Sequence, residues 1–194
     1  MIYFITGSIL ILFGFSHVLN EVNAVEPKII QYFQQISNHK PLLSLFKEIW
    51  LFGRTSFALI ILILLSCLNW KMGGIAAGVF LIIIGVEYLI KTLYTRNRPF
   101  AALGYISMLQ PVKPKDSSFP SGDTLRIWYL ALIISTAAGG RPAMLIAAIA
   151  LASLVTLGRL VMGVHYLTDV LAGAGMGILS AGVTVWLWNV FNIM

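Results

Sequence analysis

The sequence predicts an all-α integral membrane protein, a bundle of about six transmembrane helices. Of its 194 residues, 59% are hydrophobic and only 10% are charged, against roughly 25% charged residues in an ordinary soluble domain. The mean hydropathy is +0.90, and several segments approach the ~20 apolar residues with which a helix crosses a bilayer. Because lipid offers no hydrogen bonds to the backbone, such segments are expected to be helical.

Six apolar segments follow one another along the chain. They lie at residues 2–19, 50–70, 75–94, 124–138, 144–162 and 167–191. Charged residues interrupt 20–50, where apolar residues recur at near-helical spacing, so we predict a short interfacial helix there. Lys71 and the glycine pair 73–74 are expected to turn the chain between the second and third spans. The length leaves no room for a second soluble domain, so residues 1–194 are expected to form one domain.

The order of the spans predicts where the polar connections lie. An even number of spans places both termini on one side of the membrane and the connections after the first, third and fifth spans on the other. Residues 95–123 and 163–166 belong to that second group and carry most of the unusual polar residues, so we predict that they meet. A count of loop lysines would place this side in the cytoplasm, but cations retained to bind a ligand would bias that count.

Charge and cysteine usage narrow the classes of partner. The net charge of +6 comes from scattered basic residues, which disfavours nucleic acid and favours an anionic lipid headgroup or membrane surface. Cys67 is the only cysteine, so no intrachain disulfide can form. The first apolar segment lacks a preceding cationic region and a clear cleavage site, so we expect it to be retained.

Three clusters of polar residues interrupt the later half of the chain. In the first, Lys91, Arg96 and Arg98 end the third span, and Pro99 follows directly. Such cations either anchor a helix end at the membrane interface or bind an anion. Glu87, one helical turn before Lys91, offers an ion-pair partner that suits the anchoring role.

The second cluster is FPSGD, residues 119–123. Pro120 and Gly122 shape a turn, while Ser121 and Asp123 are good N-caps for the fourth span. A helix N-terminus preceded by glycine also directs free N–H groups and a positive dipole at the space before it, which makes an anion site. Capping and anion binding are compatible.

The third cluster is GRLVMGVHYLTD, residues 158–169, in which Arg159 precedes His165 by six residues. Asp169 follows His165 by four residues, which places both side chains on one face if the segment is helical. The carboxylate can then accept the proton of one ring nitrogen, and the other nitrogen is free as nucleophile or base. A structural histidine at the membrane interface is the alternative interpretation.

In this order, the three clusters resemble the motifs of the type-2 phosphatidic acid phosphatase superfamily, membrane lipid phosphatases with a six-helix core. The family shows K-x6-RP, PSGH and SR-x5-H-x3-D, and the resemblance spans residues 91–169. Two positions depart from that pattern: Gly158 stands in place of serine, and Asp123 stands in place of histidine. The change at Gly158 should cost at most one auxiliary hydrogen bond.

The resemblance implies a role for each residue that would bind the phosphate. Lys91, Arg98 and Arg159 would contact the phosphate oxygens and stabilise charge in the transition state. Ser121 and the backbone amide of Gly122 would add hydrogen bonds to the same group.

The chemistry that the resemblance implies is covalent catalysis. His165, oriented by Asp169, would attack phosphorus to give a phosphohistidine, which water would then hydrolyse. This scheme needs no metal and no cofactor, and the sequence has no evident cluster of metal ligands beyond His165 and its carboxylate.

Asp123 stands where the family's histidine resembles a general acid that protonates the leaving oxygen. An aspartate can do so near neutral pH only if it stays protonated, whereas Lys91, Arg98 and Arg159 would favour the carboxylate. Three hypotheses follow. In the first, the substrate is a diphosphate whose leaving group needs no proton. In the second, Asp123 orients a water or an acceptor hydroxyl, and the protein is a lipid-to-lipid phosphotransferase. In the third, the site only binds anionic lipid.

We therefore expect a membrane lipid phosphatase that acts through a phosphohistidine and prefers isoprenoid diphosphates. A phosphatase of phosphatidylglycerophosphate, phosphatidate or lipid A is an alternative, as are the phosphotransferase and the non-enzymatic lipid binder. In bacterial members of the family that resemble this short chain, the site faces outward from the inner membrane, and the resemblance implies the same location here.

Overall fold

The computed structural model describes residues 1–193, which form nine α-helices with no strand in that range. Most of the helices are joined by short turns, but residues 94–121 form one long connection that contains the shortest helix. The helices are α1 Ile2–Phe15, α2 Asn20–Gln35, α3 Lys40–Ile49, α4 Thr55–Leu68, α5 Trp70–Leu93, α6 Pro99–Ala102, α7 Gly122–Ala137, α8 Pro142–Val161 and α9 Leu167–Val190. The predicted fold class, an all-α membrane bundle, is confirmed.

Three helices, α5, α8 and α9, are long and apolar enough to cross a membrane. Two further spans are possible if each bent helix pair counts as one: α1 with α2, bent by 100°, and α3 with α4, bent by 52°. The remaining predicted segment is α7, whose 16 residues are fewer than the ~20 that a straight span needs. Its side chains are mostly buried, so it lies inside the bundle against α8 and α9.

The charged segment after α1 forms two helices, α2 and α3, where we expected one short helix. A 3-10 turn at Ile36–Asn38 separates them. Each helix buries a narrow apolar face, which includes Ile30 on α2 and Phe46 on α3. This amphipathic pattern agrees with the predicted position at the membrane interface.

The turn between α4 and α5 does not lie at Lys71 and the glycine pair, and that prediction was wrong. The Asn69 side chain accepts the backbone N–H groups of Lys71 and Met72, both at 3.2 Å, and so caps α5 at Trp70. An asparagine N-cap accepts hydrogen bonds from backbone N–H groups of the first helical turn, which a glycine has no side chain to accept. Gly73 lies inside the helix, where it allows α5 to pack against Ser66 of α4.

The bundle core is built around α9, which packs against α1, α5 and α7. Small residues on α9 allow these close approaches: a Cβ at Gly175 would lie 2.7 Å from the carbonyl oxygen of Gly7 on α1. The Tyr129 hydroxyl of α7 donates to the Ala76 carbonyl of α5 at 2.7 Å. These contacts gather the C-terminal end of α5 and the N-terminal ends of α7 and α9 on one side of the bundle.

The close contact between α1 and α9 predicts the effect of enlarging Gly175. The leucine side chain in Gly175→Leu could be accommodated only if α1 moved. We therefore expect this substitution to lower the free energy of unfolding by about 1–3 kcal/mol. The measurement is thermal unfolding of the purified protein in detergent.

Gly78→Leu on α5 is the matched control, because a Cβ at Gly78 would have no neighbouring atom within 4 Å. Leucine also has the higher helix propensity, so this variant should be as stable as the parent protein. Equal losses of stability in the two variants would contradict the packing described for α1 and α9.

Candidate active site

The connections after the third and fifth spans meet around one cavity of about 580 Å³, as predicted. It opens on the side of the bundle where α5 ends and where α7 and α9 begin. Its wall contains many charged side chains for a membrane protein. They are Arg54, Glu87, Lys91, Arg98, Asp116, Asp123, Arg126 and Arg159, together with the imidazole of His165.

Backbone hydrogen bonds fix the two halves of the long connection against each other. The Ser118 N–H donates to the Arg96 carbonyl at 2.9 Å, and the Arg96 N–H donates to the Ser117 hydroxyl at 3.0 Å. The Ser121 N–H donates to the Asp169 carbonyl at 3.0 Å, which joins this connection to the start of α9. The chain segments that carry the first two motifs are therefore held against the third.

His165 lies in the tight turn between α8 and α9 and is only 3% exposed. Its Nε2 atom is 3.1 Å from Arg98 Nη1. Because a guanidinium nitrogen can only donate, Nε2 is the ring nitrogen with the lone pair, and the proton is on Nδ1. The Nδ1 atom faces Asp169 Oδ2 at 3.6 Å, which is beyond hydrogen-bond range. The two side chains of the predicted pair therefore lie next to each other without a hydrogen bond between them.

The surroundings of His165 keep its imidazole uncharged. Burial, and then the neighbouring Arg98 guanidinium, lower the pKa of His165 to about 3, although Asp169 acts in the opposite direction. At neutral pH the ring is therefore neutral, and Nε2 has a lone pair at the cavity wall.

Asp169 is fully buried behind that wall, and its carboxylate accepts hydrogen bonds from three residues. The donors are Arg96 Nη1 at 2.5 Å, the Ser118 hydroxyl at 2.5 Å and the Tyr166 N–H at 2.8 Å. Arg96 also lies over the Tyr166 ring, 4.2 Å from its centroid. Asp169 is thereby fixed in the orientation in which it faces His165.

Glu26 on α2 is a site residue that sequence reasoning missed. It is 3% exposed, forms an ion pair with Arg96, and accepts from the Thr168 N–H at 3.0 Å. No spacing pattern links Glu26 to the motifs, since it precedes Arg96 by 70 residues. The role of this buried glutamate becomes evident only in the folded structure, in which α2 lies next to the start of α9.

Lys91 and Arg98 form one cationic corner of the cavity. Asp116, which the sequence did not single out, bridges them through Oδ2 to Lys91 Nζ at 2.5 Å and Oδ1 to Arg98 Nη2 at 2.7 Å. Glu87 also lies 3.2 Å from Lys91 Nζ, as the helical spacing suggested. The Lys91–Glu87 pair therefore exists, but Lys91 faces the cavity and is more than a helix anchor.

Arg159 forms the opposite corner and is 1% exposed. Its Nη2 atom contacts the Gln110 side-chain oxygen and lies 3.2 Å from Asp123 Oδ2. Its Nε and Nη1 atoms have no hydrogen-bond partner among residues 1–193. Buried donors of this kind normally have an acceptor, so Arg159 has capacity to bind an anionic ligand.

Asp123 is surrounded by hydrogen-bond donors. Oδ1 accepts from Arg126 Nη2 at 2.7 Å, and Oδ2 accepts from the Trp50 indole at 3.0 Å and faces Arg159. Arg126 also forms an ion pair with Glu87 at 3.0 Å. Every neighbour of the Asp123 carboxylate donates to it, which favours the ionised group that we expected.

The remaining motif residues differ in their positions. Gly122 is part of the cavity wall and begins α7, where any larger side chain would collide with Glu87. Ser121 is fully buried, and its hydroxyl is 2.9 Å from the Thr124 hydroxyl, so it does not cap α7 through its side chain. Gly158 faces Phe46 of α3, whose ring leaves little space for the serine typical of the family.

Two predicted binding residues, Lys91 and Arg98, thus share one corner with His165, and Arg159 lies across the cavity beside Asp123. This arrangement can hold a group with several anionic oxygens in front of a neutral nitrogen nucleophile. Among residues 1–193, no three His, Cys, Asp or Glu side chains are grouped closely enough to hold a metal ion.

Comparison with known proteins agrees with this geometry. The family model of the PAP2 superfamily matches residues 58–193. A transmembrane PAP2-type phosphatidylglycerolphosphate phosphatase from Bacillus subtilis superposes with a TM-score of 0.81 at 21% identity, covering 95% of this chain and 94% of that chain. LpxE of Aquifex aeolicus superposes with a TM-score of 0.74 at 22% identity, covering 84% of this chain and 95% of that chain.

No curated protein sequence matches the chain significantly. The two structural similarities show a shared fold, while the family model covers most of the sequence and includes all three motifs. The chain therefore belongs to the PAP2 superfamily of membrane lipid phosphatases.

Proposed function

We propose that the protein removes a terminal phosphate from a lipid by transferring the phosphoryl group to His165 and then to water. The observation that carries this proposal is the neutral, buried imidazole of His165, whose Nε2 lone pair accepts from Arg98 Nη1 at 3.1 Å in a cationic cavity. A nucleophile needs an available electron pair and nearby positive charge that stabilises the attacked group, so Arg98 transfers this hydrogen bond to a phosphate oxygen before Nε2 attacks.

In the first step, the Nε2 lone pair forms a bond to phosphorus, and the bond from phosphorus to the lipid oxygen breaks. The leaving oxygen retains the electron pair of that bond. Lys91, Arg98 and Arg159 stabilise the charge spread over the non-bridging oxygens, which is the main source of catalysis in phosphoryl transfer. Asp169 Oδ2, 3.6 Å from Nδ1 in the structure, approaches and accepts a hydrogen bond from Nδ1–H as the ring gains positive charge.

In the second step, a water oxygen forms a bond to phosphorus, and the bond to Nε2 breaks. The electron pair of that bond returns to Nε2, and inorganic phosphate leaves with the proton balance restored by solvent. The carboxylate of Asp123, bonded to Arg126 at 2.7 Å, is a base that can accept a proton from this water. A hydroxyl of a second lipid in place of water would make the protein a phosphotransferase.

The ionised Asp123 favours a diphosphate as the substrate. A carboxylate cannot protonate the leaving oxygen, so the leaving group must be stable as an anion. The leaving group of a lipid diphosphate is a phosphate monoester, whose second pKa is about 6. The cavity wall also contains Arg54 and Arg126 in addition to the three motif cations, which suits a second phosphate.

We accordingly propose an isoprenoid diphosphate as the substrate class, with the site at the outer face of a bacterial inner membrane. Monoesters such as phosphatidate, phosphatidylglycerophosphate or a lipid A phosphate are the second candidates, favoured by the likeness to the Bacillus subtilis enzyme. Their alkoxide leaving groups need a proton donor, and the Asp123 carboxylate, which accepts from Trp50 and Arg126, is a poor one.

Replacement of the nucleophile tests the reaction. His165→Ala should lower the release of phosphate from undecaprenyl diphosphate by a factor on the order of 10³ or more, measured with detergent-purified protein in chelator. His39→Ala is the matched control, because His39 is exposed, directly precedes α3 and is distant from His165 in the sequence. Retained turnover in His165→Ala would contradict the phosphohistidine, and absence of turnover in all variants would favour a lipid-binding protein.

Asp123→His tests the account of the leaving group. The parent protein should prefer the lipid diphosphate over the matched monophosphate, and Asp123→His should raise turnover of the monophosphate by about 10²-fold, as a general acid would. Asp123→Asn keeps the shape of the side chain without supplying an acid, so it should give no such gain. Good monophosphate turnover by the parent protein would mean that another group supplies the proton.

The lowered pKa of His165 predicts the acidic limb of the pH profile. Because this pKa is lowered to about 3, the ring stays neutral as pH falls through the ordinary imidazole range. The profile of kcat/KM, corrected for ionisation of the substrate, should therefore show no loss of rate near pH 6.5. An acidic limb near 6.5 that persists with two substrates of different phosphate pKa would contradict this prediction.

A further inference from the structure

Asp116 occupies the corner of the cavity where two of the phosphate-binding cations meet. Its Oδ2 atom lies 2.5 Å from Lys91 Nζ, and its Oδ1 atom lies 2.7 Å from Arg98 Nη2. These are charge-assisted contacts of the kind that two oxygens of a phosphate would make. In this state a carboxylate of the protein itself takes the place of the anionic group of a ligand.

The backbone of Asp116 is fixed, but its side chain has room to move. The Asp116 carbonyl accepts from Arg98 Nε at 3.1 Å, and the next residue is held by the bond from the Ser117 hydroxyl to the Tyr94 carbonyl at 3.0 Å. The Asp116 side chain is 51% exposed. Rotation about its side-chain bonds would release both cations without any displacement of the connection.

The charge of Asp116 is permanent near neutral pH. Although partial burial acts in the opposite direction, Lys91 and Arg98 hold the pKa of the Asp116 carboxyl well below its usual range. The third motif cation, Arg159, is likewise paired with Asp123 at 3.2 Å. Each of the three motif cations is therefore already neutralised in part, and an incoming anion must compete for it.

We propose that Asp116 is an internal competitor for Lys91 and Arg98 that lowers the affinity of the site for every phosphate group, so that a group bound by its charge alone, such as inorganic phosphate, is readily released. This inference rests on the proposed function, which assigns these cations to phosphate binding. A soluble phosphate displaces Asp116 with its charge alone. A lipid phosphate also has an apolar chain to bury and, in a diphosphate, a second anionic group, so it displaces Asp116 more readily.

The same competition acts on the product. Inorganic phosphate remains after the lipid has left, and it retains only the contacts with the cations. Return of the Asp116 carboxylate to Lys91 and Arg98 replaces those contacts and favours release of the phosphate. Asp116 is then a determinant of anion affinity and of product inhibition, and it takes no part in bond formation.

The test is Asp116→Asn, which keeps the side-chain shape and removes the charge. Inorganic phosphate should bind more tightly, with its inhibition constant against undecaprenyl diphosphate falling by about tenfold. The kcat/KM for para-nitrophenyl phosphate should rise by a similar factor, because the same competitor has been removed. Asp116→Glu, which restores a carboxylate, should stay near the parent protein in both measurements.

Glu48→Gln is the control for a general change in charge, because Glu48 is exposed on α3 and should leave both measurements unchanged. Weaker or unchanged phosphate inhibition in a folded, active Asp116→Asn would overturn the proposal and assign Asp116 to the positioning of its cations. Direct binding of radioactive phosphate provides a second readout. If no variant hydrolyses lipid, the proposed function fails, while tighter binding by Asp116→Asn would still show the competition.

Discussion

Charged side chains inside a membrane bundle must be paired, because an isolated ion loses its hydration there without compensation. This constraint organises the whole polar end of the protein. Glu26, Arg96 and Asp169 form a buried chain of ion pairs that joins α2, the long connection and α9. The close packing of α1, α7 and α9 brings these charges together, and their pairing in turn fixes the short segment that carries His165.

The ion pairs fall into two groups with different consequences. Those of Arg96 are buried and saturated, and they fix Asp169 behind His165. Those of Lys91, Arg98 and Arg159 line the cavity and involve carboxylates that an anionic ligand can replace. In the proposed function, the first group positions His165 and Asp169, and the second gives a cationic site whose charge is balanced until a phosphate group binds. One physical requirement thus accounts for both the rigidity of the site and its low affinity for a free anion.

Hydropathy predicted the fold class, and motif spacing predicted which residues meet at the cavity, because both properties depend on local sequence. Spacing could not predict Glu26 or Asp116, since their contacts with the motif residues arise only when distant segments pack together. The turn at Asn69 was misplaced because one capping side chain outweighed a glycine pair. Ser121 was expected at the phosphate, but the fold directs its hydroxyl to Thr124.

The central claim is that His165 Nε2 becomes bonded to phosphorus during turnover. The most direct measurement is the mass of the peptide containing His165 after the protein has been mixed with undecaprenyl diphosphate and quenched in alkali, in which phosphohistidine persists. We predict one added phosphoryl group on this peptide, located on the imidazole and absent from His165→Ala. Hydrolysis of the lipid by the parent protein, with no phosphoryl group on His165 at any time of quenching, would contradict the account.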